Sequence, residues 1–195
     1  LFEVDNGLDP NADDAEADAD GDGRSNLDEY LEGKDPNADD VMPVVTAPAD
    51  VASGATGALT KVDLGEATAS DALDGDLTPM VDNPGPYAPG TYMLTWSATD
   101  AAGNMGMAMQ SVIISPQVSV TPKGRVAEGG DYMVKVTLNG PAPAYPVEIP
   151  VTLGGTAELD SDYTVSAPAI MIESGRMGMM TISVLSDEVE EGTET

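Results

Sequence analysis

Beyond residue 41 the chain alternates apolar and polar side chains, the period-two signature of strands with one buried face. In TYMLTWSATD (91–100), Tyr92, Leu94, Trp96 and Ala98 share one face, and Thr91, Met93, Thr95 and Ser97 the other. MGMAMQSVIIS (105–115) follows the turn residues between Asp100 and Asn104, which predicts a hairpin. A boundary falls near Ser115-Pro116. Further strands are predicted at DYMVKVTL (131–138), PVEIPVTL (146–153), AIMI (169–172) and MTISVL (180–185). Turn signals separate them at spacings suited to an antiparallel sandwich. The expected fold class is mainly β: an irregular N-terminal segment followed by two antiparallel β-sandwich domains.

Residues 1–40 do not share this pattern. They hold fifteen acids against Arg24 and Lys34, a local charge of −13. Such a segment has too little apolar surface to offset its chain entropy, and alone it should be disordered. Yet it carries a register. EVDNGLDPNADD (3–14) recurs as EYLEGKDPNADD (29–40), an offset of 26 residues with eight of twelve positions identical. The apolar start Leu1-Phe2-Glu3-Val4 could donate a strand to a neighbour, though its place in the repeat predicts a helical turn instead.

Composition removes several functions. The 35 acids against 7 bases, a formal charge of −28, make nucleic-acid binding and attraction to anionic membranes unfavourable. With neither cysteine nor histidine, the chain has no disulfide, zinc-thiolate site, Cys nucleophile or Ser–His relay. No run approaches the ~20 apolar residues of a membrane span, so no membrane insertion is expected. The 21 glycines and 15 prolines fit short strands and turns.

DADGDGRSNLDE (18–29) matches the calcium-loop pattern D-x-[DN]-x-[DN]-G-x5-E through Asp18, Asp20, Asp22, Gly23 and Glu29. Ca²⁺ takes six to eight hard oxygens, and alternate side chains of a tight loop converge on one point. Gly23 permits the bend, the carbonyl of Arg24 supplies a backbone oxygen, and Glu29 reaches back with two. Calcium would turn the mutual repulsion of these carboxylates into coordination. The loop is not half of a paired EF-hand. Pro10 and the Ala/Asp run leave no amphipathic entering helix, and Ser25 replaces the apolar bridging residue.

NGLDPNADD, DADGDGRSNLDEYLEGKDP and the second NADD resemble the thrombospondin type 3 repeats of bacterial surface proteins over residues 1–40. The resemblance implies a calcium-wrapped segment with little hydrophobic core. It adds Asp9, Asn11 and Asp13, and their repeat partners Asp35, Asn37 and Asp39, as ligands, with Glu3 in the place of Glu29. A dockerin is the nearest rival, but a second complete loop is absent. VVTAPADV, LGEATASDALDGDLTP, GPYAPGTYMLTWSATDAAGN and QSVIIS resemble HYR-like, immunoglobulin-type modules over 43–115. There Asp71, Asp74, Asp76 and Asp100 either meet at one end of the sandwich around another Ca²⁺ or serve as turn residues. VAEGGDYMVKVTL, GGTAELDSDYTV, IMIESGR and ISVLSDEVEEGTET resemble a Calx-beta domain over 117–195. By matching position, the calcium-binding members of that family imply Glu128, Asp162, Asp187, the carbonyl of Val189, Glu191 and Glu194 as ligands. Ser186 stands where those members have an Asp.

The expected organisation is therefore a calcium-binding segment at 1–41, an Ig-like sandwich at 42–116 and a Calx-beta sandwich at 117–195 lacking its last strand. That open edge would be completed by further residues of the same chain or, by strand pairing, by a neighbouring subunit. The alternating methionines Met105, Met107, Met109 and Met177, Met179 read as adaptable core filler rather than a thioether copper site, since no His or Cys is available. Catalysis is not expected, because the carboxylates cluster at ligand spacing without an aromatic sugar platform. The function expected is a calcium-binding structural or adhesive segment of a large extracellular or cell-surface protein, capable of forming filaments and of contacting a surface ligand or glycan. The alternative is a non-catalytic targeting region of a secreted hydrolase.

Overall fold

The β-rich stretches fold as their alternation dictates, and the computed structural model describes residues 2–121 and 124–186. Strand accounts for 39% and helix for 6%, so the fold is mainly β, with several antiparallel sheets of β-sandwich type. Two short helices, α1 (Phe2–Asp5) and α2 (Asn26–Glu32), come first. Then follow β1 (Val44–Thr46), β2 (Val51–Gly54), β3 (Thr68–Asp71), β4 (Gly75–Leu77), β5 (Met80–Val81), β6 (Gly90–Thr99) and β7 (Met105–Ser115). The remaining strands are β8 (Val118–Thr121), β9 (Asp131–Leu138), β10 (Val147–Pro150), β11 (Tyr163–Val165), β12 (Ala169–Ile172) and β13 (Met177–Val184). They form sheets in the orders β1-β3-β4, β2-β7-β6-β5, β11-β13-β9-β8 and β10-β12. The chain divides into two compact units, one of residues 1–51, 63–84 and 93–112 and one of 52–62, 85–92 and 113–195.

In the first unit the inward face of β6 is the one the alternation predicts: Leu94, Trp96 and Ala98 are buried. A buried indole needs an acceptor for its N–H. Trp96 Nε1 donates to Gln110 Oε1 at 3.0 Å, and the Gln110 amide donates in turn to the carbonyls of Ala49 (2.7 Å) and Leu64 (2.8 Å). One fully buried glutamine thus ties β7 to two loops and satisfies the tryptophan. Gly106 lies where a Cβ would fall 1.8 Å from the carbonyl oxygen of Pro43, so the approach to β1 requires glycine there.

In the second unit Val134, Val136 and Leu138 of β9 and Met180 of β13 pack against Ile170 and Ile172 of β12. These come from two sheets, β11-β13-β9-β8 and β10-β12, which form the two layers around one core. Gly178 permits their approach: a Cβ there would stand 2.5 Å from Ile170 Cγ2 and 2.9 Å from Ile172 Cγ1.

The methionines depart from the core-filler expectation. Of the eleven, only Met180 is buried, and Met105, Met107, Met109, Met177 and Met179 are exposed. Strand parity is the reason. On β7 the even positions Gly106, Gln110, Val112 and Ile114 are buried, which turns the odd-numbered methionines outward.

Removing the indole should expose how much this core depends on it. Trp96→Ala is expected to cost about 3–5 kcal/mol, as for other buried large aromatics. Trp96→Phe should cost about 1–3 kcal/mol, because it leaves the Gln110 oxygen without its donor. Denaturant unfolding followed by circular dichroism measures both, and a Trp96→Phe variant as stable as the parent would contradict the assignment.

Candidate metal centre

The sequence repeat of the acidic segment is a structural repeat. Leu8 N donates to the Glu3 carbonyl at 2.7 Å, and 26 residues later Lys34 N donates to that of Glu29 at 2.9 Å. Asn11 N bonds Asp9 Oδ1 at 3.0 Å, and Asn37 N bonds Asp35 Oδ1 at 3.1 Å. Gly7 and Gly33 both take φ +74°, the left-handed turn that ends each helix. The two copies touch: the rings of Phe2 and Tyr30 lie 4.8 Å apart, and Asn37 Nδ2 donates to the Asn6 carbonyl at 2.8 Å.

Between the copies winds the loop Asp18–Glu29. Its aspartates are held by the backbone of the turns they sit on. Asp18 accepts from Gly21 N (2.7 Å) and Gly23 N (2.9 Å), Asp20 Oδ1 from Asp22 N (3.1 Å), and Asp22 Oδ1 from Arg24 N (2.8 Å). Gly23, at φ +94°, makes the bend. This winding brings carboxylate oxygens of Asp18, Asp20 and Asp22 within 4.8 Å of one another.

Helix α2 delivers Glu29. Ser25 caps it, accepting from Asp28 N at 3.2 Å, and Gly33 closes it. The S-x-x-D spacing before an apolar position and the glycine after it are the signals in the sequence from which this helix could be found. Glu29 has no exposed surface, and neither of its carboxylate oxygens has a hydrogen-bond partner. Asp20 Oδ2 and Asn26 Oδ1 are likewise buried and unpartnered. Asn26 had no role in the sequence reading; its amide fixes the loop by donating to the Asp14 carbonyl at 2.8 Å.

Electrostatics follow from that packing. Burial, reinforced by the charges of Asp20, Asp22, Asp40 and Asp18, pushes Glu29 up to about 7. Asp20 is raised by burial as well, against the N–H of Asp22 and with the carboxylates of Asp22 and Asp18 adding to the effect. Burial also acts on Asp18, but the N–H groups of Gly23 and Gly21 outweigh it and hold its pKa below the ordinary value. Both bases of the segment are paired, Arg24 with Glu32 at 2.5 Å and Lys34 with Asp40 at 2.7 Å.

The other sequence-predicted ligands are distributed differently. Asp9, Asn11, Asp13, Asp35 and Asn37 are exposed, and Glu3 is half-buried in α1. Asp39 offers an oxygen within 4.8 Å of Asp71 and Asp74, whereas Asp76 and Asp100 are outside that group. Glu128 is exposed and Asp162 accepts from Glu158 N at 2.6 Å. Asp187, Val189, Glu191 and Glu194 lie outside the described residues. No family model matches the chain, and no curated protein matches it. Among the described residues no helix is long and apolar enough to cross a membrane.

The raised pKa of Glu29 fixes a pH dependence for the metal-free chain. The folded loop holds the Glu29 proton more tightly than the unfolded chain, whose pKa is near 4.5. That contribution to stability is complete below about pH 4.5 and is lost as pH rises through about 7. Amide exchange over residues 18–33 in chelator should therefore be slower at pH 5 than at pH 8 after correction for intrinsic rates. Glu29→Gln should remove the buried charge and gain about 1–3 kcal/mol at pH 8, with little effect at pH 5. Equal gains at both pH values would contradict it.

Proposed function

We propose that residues 18–29 form a Ca²⁺ site and that the chain is a calcium-stiffened structural or adhesive segment of an extracellular or cell-surface protein. The observation that carries the reading is Glu29: a carboxylate with no exposed surface, both oxygens unpartnered, beside three converging aspartates. A buried ionised carboxylate without partners is too costly to persist unless a cation or a proton neutralises it. The donor set suits a hard cation, being all oxygen, in a chain with no Cys or His. Asp18, Asp20, Asp22, the carbonyl of Arg24 and Glu29 would hold the ion. When bound, Ca²⁺ supplies the positive charge that these carboxylates lack.

The role is mechanical. The acidic segment has few apolar contacts of its own, so ion binding contributes folding free energy that a core does not. Two sandwich-type modules following a cation-stiffened segment suit a spacer or contact surface better than a catalyst. The resemblance to thrombospondin type 3, HYR-like and Calx-beta modules supports the same reading and an extracellular setting, where millimolar calcium would match an affinity in the roughly 10⁻⁴–10⁻³ M range.

Calcium titration by calorimetry is the direct test. Binding should release protons, about half of one from Glu29 at pH 7 and close to none at pH 8.5, read from the buffer dependence of the heat. Asp20→Ala should abolish calcium-dependent protection of residues 18–33 and leave Trp96 fluorescence unchanged. Exchange over that stretch equally slow with and without chelator would refute the reading.

A further inference from the structure

A second group of carboxylates, assembled from three separate stretches of the first unit, has the same orphaned chemistry as the loop. Asp39, Asp71 and Asp74 offer oxygens within 4.8 Å of one another. Asp39 comes from the end of the acidic repeat, and Asp71 and Asp74 from the turn joining β3 to β4. Each of the first two uses one oxygen on its own turn. Asp39 Oδ1 accepts from Val41 N at 3.1 Å, and Asp71 Oδ1 from Leu73 N (2.9 Å) and Asp74 N (3.0 Å). Their Oδ2 atoms are buried and have no partner.

Asp100, in the β6–β7 turn, supplies the independent observation. It is only 7% exposed, and its Oδ2 is buried without a partner, while Oδ1 accepts from Gly103 N (2.6 Å) and Asn104 N (2.7 Å). Two bonds fix its turn against the cluster. Asn104 Nδ2 donates to the Asp39 carbonyl at 3.0 Å, and Ala101 N donates to Asp74 Oδ2 at 2.6 Å. Burial raises the pKa of Asp39 against the Val41 N–H, and the charges of Asp71, Asp100 and Asp22 raise it further. Lys34, the base closest in sequence to Asp39, is taken by Asp40 and Glu32.

We propose that Asp39, Asp71, Asp74 and Asp100 form a second site for a hard divalent cation of the Ca²⁺ class, which fastens the end of the acidic segment to the β3–β4 and β6–β7 turns. Three unpartnered carboxylate oxygens from three places in the chain have one common remedy, a cation ligated by all of them. Four carboxylates and no nitrogen or sulfur donor suit Ca²⁺ better than a transition metal, and the loosely matched turn geometry suits it better than Mg²⁺. The ion would act as a clamp: Asp39 can reach its ligand position only when residues 35–40 lie against the turns. Its ligands are distinct from those of the loop at 18–29, and Asp22 of that loop acts as a further charge on Asp39.

The test uses the full 195-residue chain and CaCl₂ as the probe. Calorimetric stoichiometry is compared between Glu29→Gln, in which the first loop is disabled, and the same chain carrying Asp71→Asn or Asp39→Asn. Each asparagine keeps the Oδ1 that its turn uses, and native Trp96 fluorescence checks the fold. Loss of one equivalent of calcium from Glu29→Gln on adding either substitution supports the clamp. Unchanged stoichiometry on adding both overturns it. Should the double variants fail to fold, Glu29→Gln alone decides: calcium must slow amide exchange at 39–41, 71–74 and 100–104 by at least tenfold, and no slowing overturns the proposal. Loss of binding in Glu29→Gln with no further loss on adding both substitutions rejects the clamp while sparing the loop, whereas undiminished uptake by Glu29→Gln rejects the loop alone.

Discussion

Uncompensated negative charge is the constraint on which the acidic half of this protein depends. A net charge of −28 is tolerable when spread over solvent, but Glu29 has no exposed surface and Asp22 almost none. Burial in a medium less polarisable than water raises the free energy of each anion, and their proximity raises it again. The two bases of this segment, Arg24 and Lys34, are already paired with Glu32 and Asp40. The polypeptide geometry of residues 18–40 is therefore half of an electrostatic arrangement. Its other half must arrive as a proton or a metal ion.

A single local device recurs in both carboxylate clusters. Asp20, Asp39, Asp71 and Asp100 each commit one oxygen to backbone N–H groups two to four residues ahead, and each leaves the other oxygen buried and unpartnered. The first oxygen sets the direction of the side chain at almost no entropic cost, because the turn already exists. The second is thereby aimed without needing a neighbour to hold it. Preorganisation here comes from the turn chemistry of aspartate, which explains how short loops with little hydrophobic support can present carboxylates convergently.

Much of this was legible in the residues. The faces of β6 and β7 follow from alternation, β9 and β12 fall on the expected stretches, and the 26-residue repeat reappears as matching hydrogen bonds. The convergence of Asp18, Asp20 and Asp22 follows from their spacing. What could not be read is non-local. Asp39 looks in sequence like a copy of Asp13, yet Asp13 is exposed whereas Asp39 meets Asp71 and Asp74, because Asn104 holds its backbone. Nothing in a repeat distinguishes a copy that faces solvent from one that a distant turn captures. The methionines fail for a related reason: their hydrophobicity suggested the core, but strand parity, set by Val112 and Ile114, decides which face they occupy.

Those outward thioethers change how the protein meets an oxidising environment. Conversion of a core methionine to its sulfoxide places a polar, chiral group among apolar neighbours and loosens the packing. Here ten of eleven methionines present their sulfur on the outer face of a sheet or on a loop, and Met180 alone sits within the hydrophobic interior. Oxygen atoms added at the surface leave Leu94, Trp96, Val136 and Ile170 undisturbed. The sandwiches thus carry a reservoir of reducing equivalents that peroxide can consume while the chain remains folded.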